Sequence, residues 1–120
     1  MKNLSKSIED YIEAIYMLEK ENGKVRSIDI ASKLDVSKPA VNKAMHELKE
    51  IGIIDEFNYS NIVLTEKGKK FAKQLYSKHV LICNFLISIG VPEETAQIDC
   101  CKIEHVISPE TLKCMKKQLK

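Results

Sequence analysis

Apolar residues near the start of the chain recur with a helical period. Ile8, Tyr11 and Ile15 stand three and four residues apart, so one side of a helix would be apolar. Ser7 precedes this pattern as a candidate N-cap, and Gly23 follows it as a natural stop. The pattern predicts a first helix between these two residues.

Two further helices are predicted before residue 52. Ser27 would cap a short helix, with inward positions at Ile28, Ala31 and Leu34. After the turn "DVS", Ser37 would cap a longer helix with Pro39 in its first turn, where a missing N–H costs little. The buried stripe of this longer helix is predicted at Val41, Met45, Leu48 and Ile51. A short helix, a brief turn and a longer helix form a helix-turn-helix.

The segment "IIDEFNYSNIVLT" alternates apolar and polar residues on either side of a polar turn, which predicts a hairpin. A hairpin after a helix-turn-helix makes it winged. A long helix starting at Thr65 and stopping at Gly90 follows, then helices over 93–107 and from Pro109 onward. The predicted fold is mainly α, with a winged helix-turn-helix domain over 1–72 and an all-helical domain over 73–120.

Composition narrows the class of protein. The chain has 120 residues, of which 44% are hydrophobic, enough for a buried core. No apolar run approaches the roughly 20 residues of a membrane span, and the start has no signal-like stretch. We therefore expect a cytoplasmic protein without membrane contact, whose four cysteines stay reduced. The net charge is only +2, but the positive excess lies in the first two thirds of the chain.

The second helix of a helix-turn-helix lies in the major groove, with its N-terminal residues at base edges. Lys38 and Lys43 suit phosphates or guanine edges, and Asn42 can pair with adenine. The predicted DNA contacts are Ser37, Lys38, Pro39, Asn42 and Lys43 on the helix, with His46 as an outer position, and Asn58, Tyr59 and Ser60 in the turn. The alternatives are a solvated helix face or a protein-interaction module.

The stretch "CCKIEH" would place Cys101, Glu104 and His105 on one helix face. Thiolate, carboxylate and imidazole all bind first-row divalent metals. Further candidate ligands are Asp10 and Glu13 on the first helix and His79 on the long helix. Each of these features also occurs without a metal. Since neighbours on a helix point about 100° apart, Cys100 and Cys101 should not both face one site, and one should pack in the core.

The chain resembles the diphtheria toxin repressor family of iron- and manganese-dependent bacterial regulators. The matching pieces are "SIEDYIEAIYMLE", "IASKLDVSKPAVNKAMHELKEIGII", "LTEKGKKFAKQLYSKH" and "CCKIEHVIS". The resemblance implies metal ligands at Asp10, Glu13, His79, Cys101, Glu104 and His105. It also implies that the chain is a short form without the SH3-like domain of many members.

The implied ligand set is a hybrid. Asp10 and Glu13 resemble the manganese type, whereas Cys101 resembles the iron type. The ancillary site of the iron type is not reproduced, because its later positions are Cys83 and Gln97 here, although His79 and Cys83 could still share a metal. Cys100 is left open as an extra ligand. A thiolate favours Fe²⁺, with Mn²⁺ and Zn²⁺ as the other candidates.

These features predict a homodimeric regulator that binds a palindromic operator in double-stranded DNA. A divalent metal bridging helix 1 and the dimerisation domain would activate it. The alternatives are winged-helix regulators that respond to thiol oxidation or to a small molecule. No substrate-binding motif or nucleophile constellation points to an enzyme with a small-molecule substrate.

Overall fold

The computed structural model describes residues 4–55, 58 and 60–119, and these residues contain six α-helices. The helices are α1 (Lys6–Asn22), α2 (Ser27–Leu34), α3 (Lys38–Glu50), α4 (Glu66–Ser88), α5 (Glu93–Ile103) and α6 (Pro109–Gln118). The mainly α prediction is confirmed. The chain divides into two compact units, residues 1–73 and 74–120.

Helix α1 has the predicted apolar face but begins earlier than predicted. Its N-cap is Ser5, whose Oγ accepts a hydrogen bond from the N–H of Ile8 at 3.2 Å, so the prediction of Ser7 is wrong. At the other end Gly23 has a φ of 77°, the left-handed conformation that glycine adopts without steric cost. The cap side chain and the glycine together fix the two ends of the helix.

Helices α2 and α3 form the predicted helix-turn-helix. Ser37 caps α3 by accepting from the N–H of Ala40 at 3.2 Å, as predicted. The buried stripe of α3 contains Val41, Ala44, Met45 and Leu48. The inward assignment of Ile28 is wrong: Ile28 is 54% exposed, and Ile30 is the buried residue of α2.

The segment after α3 contains two isolated antiparallel bridges, Ile54–Leu64 and Asn58–Asn61, in its described part. The described residues of this segment therefore show antiparallel pairing but no continuous strand of the predicted hairpin. Glu56, Phe57 and Tyr59 lie outside the described residues. The segment still turns back on itself at a polar turn, as predicted.

The start of α4 is attached to this segment through Thr65. Its N–H donates to the carbonyl oxygen of Ile53 at 2.9 Å, and its hydroxyl contacts the carbonyl oxygens of Gly52 and Ile53. The Thr65 hydroxyl also accepts from the N–H of Gly68 at 3.0 Å, which caps the helix.

The second unit is built from the C-terminal part of α4 together with α5 and α6. Its core residues are Ile82, Cys83, Ala96 and Cys100, packed against Leu86, Val91, Ile103, Ile107, Leu112 and Met115. The prediction of a helix over 93–107 is too long, because α5 ends at Ile103 and a turn follows. None of the helices in the described part of the chain has the length and apolar character that a membrane span requires.

Candidate metal centre and nucleic-acid interface

Glu104 is the most unusual side chain of the second unit, because it is a carboxylate with no exposed surface. It lies just after α5, where its N–H still donates to the carbonyl oxygen of Cys100 at 3.0 Å. The turn that ends α5 therefore directs an acidic side chain inward. Burying a charge without a partner is costly, so its surroundings must offset the cost.

Two histidines surround this carboxylate. The Oε1 atom of Glu104 lies 2.7 Å from Nδ1 of His79 on α4. Its Oε2 atom lies 3.6 Å from Nε2 of His105 and has no hydrogen-bond partner among the described residues. Both imidazole side chains are largely buried, at 12% and 4% exposed. The second carboxylate oxygen is thus buried beside an imidazole without a hydrogen bond among the described residues.

The two thiols at the end of α5 lie close to the same histidine. Sγ of Cys100 is 3.5 Å from each ring nitrogen of His79, and Sγ of Cys101 is 4.0 Å from Nδ1. The expectation that both cysteines cannot face one site is therefore wrong, since the two sulfurs and a ring nitrogen of His79 all lie within 4.8 Å of one another. The expectation that one packs in the core is confirmed, because Cys100 is buried whereas Cys101 is exposed.

Hydrogen bonds and burial shift the pKa values of two members of this cluster. Hydrogen bonds to Cys101 and to Glu104 raise the pKa of His79 to about 11. At neutral pH the ring is then a cation next to the side chain of Glu104. Burial, followed by the charges of Cys101 and Cys83, raises the pKa of the Cys100 thiol.

Gln97 and Cys83 stand at the two positions where this chain differs from the ancillary site of the iron type. Oε1 of Gln97 lies 3.2 Å from Nε2 of His79, so the amide is within reach of the ring. Cys83 is buried in the core of the second unit beside Cys100. The structure thus brings Gln97 to His79 and places Cys83 beneath the cluster.

The two predicted ligands in the first unit both belong to α1. Glu13 is only 8% exposed, an unusual burial for a carboxylate. Asp10 is partly exposed and accepts a hydrogen bond from Nζ of Lys6 at 2.9 Å. Their i, i+3 spacing places both carboxylates on neighbouring parts of the same helix surface.

The predicted DNA-contacting side chains of α3 lie opposite its buried stripe. Lys38, Pro39, Lys43 and His46 are exposed, and Asn42 is half-buried. In the turn that follows, Oδ1 of Asn58 accepts hydrogen bonds from the N–H and the hydroxyl of Ser60, at 3.0 and 2.8 Å. Tyr59 lies outside the described residues.

A groove that the sequence does not predict lies beside this face. A cavity of about 350 Å³ is lined by Arg26, Ser27, Ile28, Lys38 and Ser60. Arg26 donates two hydrogen bonds to Asp29, at 2.9 and 3.0 Å, and its side chain remains exposed. The only feature of the sequence that indicates this groove is an arginine directly before the start of α2.

Comparisons with known proteins give a consistent result. Residues 3–62 match the family model of the iron dependent repressor N-terminal DNA binding domain. Residues 65–120 match the model of the iron dependent repressor metal binding and dimerisation domain.

Two curated relatives cover most of the chain. An uncharacterized HTH-type transcriptional regulator of Methanocaldococcus jannaschii is 38% identical over 115 residues, which is 94% of this chain and 92% of the relative. The HTH-type transcriptional regulator MntR of Bacillus subtilis is 44% identical over 102 residues, covering 85% of this chain and 72% of MntR.

Two solved structures share the fold. The manganese regulator SloR has a TM-score of 0.80 at 30% identity, over 93% of this chain and 53% of that one. The IdeR of T. acidophilum has a TM-score of 0.82 at 23% identity, over 99% of this chain and 55% of that one. The chain thus spans about half the length of these two solved chains.

Proposed function

Because the chain belongs to the iron dependent repressor family of metal-dependent transcriptional regulators, we propose that a divalent metal bound at Glu104 controls its binding to operator DNA. The observation that carries this proposal is the fully buried carboxylate of Glu104 between two imidazoles. A buried carboxylate oxygen without a hydrogen bond, beside an imidazole nitrogen, fits a metal ligand better than a structural ion pair.

The proposed ligands in the second unit are His79, Cys101, Glu104 and His105. The resemblance adds Asp10 and Glu13, and this part of the proposal rests on the family pattern. When bound, a divalent cation supplies positive charge to the buried carboxylate in place of the proton on His79. The protein's own residues orient the ligands: the hydrogen bond from His79 fixes Glu104, and the turn after α5 fixes His105 beside it.

Iron is the metal that we favour. The thiolate of Cys101 favours Fe²⁺ over Mn²⁺, whereas the carboxylates suit Mn²⁺. The manganese regulator SloR is 30% identical to this chain, so Mn²⁺ is the second candidate and Zn²⁺ the third.

The DNA partner is proposed to contact the exposed face of α3 and the groove beside it. Lys38, Lys43 and Arg26 would meet phosphates, and Asn42 would read a base edge. The family's dimerisation domain implies a homodimer. A two-fold dimer presents two recognition helices, so we propose that the operator is palindromic. We also propose that the protein acts in the cytoplasm, where operator DNA is found.

Metal binding and DNA binding must then be linked. If bound metal raises the affinity of the protein for DNA, then bound DNA raises its affinity for metal by the same factor. Couplings of about 1–3 kcal/mol correspond to roughly 5- to 150-fold changes in affinity. Metal occupancy of the cluster at Glu104 would therefore change the affinity for the operator by a factor within this range.

Removing metal is expected to release the operator. The affinity of the reduced protein for a palindromic promoter fragment would be measured anaerobically with chelator, then with Fe²⁺, Mn²⁺ and Zn²⁺ in turn. We expect affinity with the best metal to exceed that with chelator by roughly 5- to 150-fold. Equal affinities would refute the proposal, and control by oxidant alone would support regulation through thiols.

Replacing Lys43 with alanine is expected to weaken binding to specific and unrelated DNA alike. A lysine on a phosphate contributes to the counterion release on binding, so the slope of log affinity against log salt should fall by about one. Lys113→Ala on α6, another exposed lysine, is the matched control and should leave the slope unchanged. An unaltered slope for Lys43→Ala would place this residue away from the DNA backbone.

A further inference from the structure

We propose that His79, Cys100 and Cys101 form a second, thiol-rich site for a thiophilic divalent cation of the Zn²⁺ and Cd²⁺ class. The candidate ligand atoms of these three residues all lie within 4.8 Å of one another. All three residues belong to the second unit. The inference goes beyond the function proposed above, because Cys100 is not part of the activation site at Glu104.

The distances between the ligand atoms fit a small cation. In a tetrahedral site with bonds of about 2.3 Å to sulfur and 2.0–2.1 Å to nitrogen, the sulfur and nitrogen are separated by about 3.5 Å. Sγ of Cys100 is already 3.5 Å from each ring nitrogen of His79. Sγ of Cys101 lies 4.0 Å from the other ring nitrogen, Nδ1, so its exposed side chain would have to reorient to reach a cation held at Nε2.

Neighbouring polar groups orient the histidine as they do in protein metal sites. A metal-binding histidine generally donates its other ring N–H to a carboxylate or a carbonyl oxygen. Here Nδ1 of His79 lies 2.7 Å from Oε1 of Glu104, so Nε2 is the nitrogen that we assign to the cation. Oε1 of Gln97 lies 3.2 Å from Nε2 and is positioned as a fourth ligand.

The donor set determines the class of cation. Two sulfurs and one imidazole nitrogen are soft and borderline donors, which suit Zn²⁺ and Cd²⁺ rather than Mn²⁺. Cys100 is buried in the core of the second unit, whereas Cys101 is exposed and gives access from solvent. His79 and Cys101 also belong to the proposed activation site, so occupancy of one site excludes full occupancy of the other.

The test is to count the sulfur ligands of bound Cd²⁺ in the full chain. Reduced wild-type protein would be loaded anaerobically with one equivalent of Cd²⁺ and examined by X-ray absorption and by thiolate-to-metal charge-transfer absorbance. We expect two sulfurs per Cd²⁺ in the wild type and one each in Cys100→Ala and Cys101→Ala. Loss of a residue that only orients a metal ligand lowers metal affinity by roughly 10- to 100-fold. Since Cys100 and Cys101 are proposed as ligands themselves, the affinity for Cd²⁺ should fall by at least this factor in both variants.

Cys114→Ser provides the matched control, since Cys114 is an exposed thiol on α6 outside this cluster, and it should keep two sulfurs. One sulfur or none in the wild type, or two sulfurs retained in Cys100→Ala, would overturn the proposal. The wild-type count needs no variant, so it decides even if Cys100→Ala folds poorly. Operator binding by the wild type with and without Mn²⁺ is measured separately, and its failure would refute the activation site without altering the sulfur count.

Discussion

Replacing Glu104 with glutamine is expected to abolish the metal-dependent part of operator binding. The amide keeps the volume of the side chain and can accept a hydrogen bond from His79, but it carries no charge for a divalent cation. Since Glu104 is fully buried, its side chain lies away from bulk solvent, and glutamine at this position provides only a neutral ligand. The ratio of operator affinities with and without Fe²⁺ or Mn²⁺ should fall from roughly 5–150 to about 1.

Glu110→Gln is the matched control, because Glu110 is an exposed glutamate in the first turn of α6. Its affinity ratio should equal that of the wild type. Far-UV circular dichroism and thermal unfolding would establish that Glu104→Gln is folded. A folded Glu104→Gln protein with an undiminished ratio would mean that metal acts elsewhere.

Alanine is the less informative substitution at this position. Hydrogen bonds to Cys101 and to Glu104 raise the pKa of His79, so Glu104→Ala would leave a largely buried cation without its carboxylate partner. Breaking a buried charge pair in this way costs about 3–5 kcal/mol. Loss of operator binding in Glu104→Ala could then result from unfolding as well as from loss of the metal ligand. The burial of Glu104 is the observation that reveals this ambiguity.

The periodic pattern and cap chemistry predicted most of the helices. Ser37 and Pro39 begin α3 as expected, because a cap side chain and a proline have local requirements that the sequence alone expresses. Ile28 was assigned to the wrong face, because α2 has only eight residues and its few apolar positions do not define one stripe. Tertiary packing decides in favour of Ile30, which has no exposed surface.

The sequence predicts which residues form the candidate metal centre, but it does not predict how their side chains are arranged. Cys101, Glu104 and His105 were found by their spacing, although α5 ends at Ile103 and the last two lie in a turn. The burial of Cys100 had a usable signal, since it lies four residues after buried Ala96. The closeness of Cys100 and Cys101 to the same imidazole had none, because it depends on side-chain torsions and on the packing of α4 against α5.

Replacing Gly68 with alanine is expected to destabilise the first unit severely. In an exposed helix this change would stabilise by about 1 kcal/mol, because alanine is the better helix former. Gly68 is instead buried in the first turn of α4, where an added Cβ would overlap the carbonyl oxygen of Ile53 and lie 3.2 Å from its Cγ2. Relieving that overlap requires movement of the backbone, so we expect a loss of about 3 kcal/mol in the free energy of unfolding.

The backbone of Ile53 has little freedom to move away from a new methyl group. Its carbonyl oxygen already accepts from the N–H of Thr65 at 2.9 Å, and the Thr65 hydroxyl both contacts this oxygen and caps α4. Thermal unfolding should show a midpoint lowered on the order of 10 °C, since 1 kcal/mol corresponds to roughly 4 °C in a chain of this size. Gly23→Ala is the control: its φ of 77° strains alanine by about 1–2 kcal/mol, but nothing lies within 4 Å of the new methyl. If Gly68→Ala unfolded no earlier than Gly23→Ala, α4 could not begin against the carbonyl of Ile53, and another contact would have to fix the start of this helix.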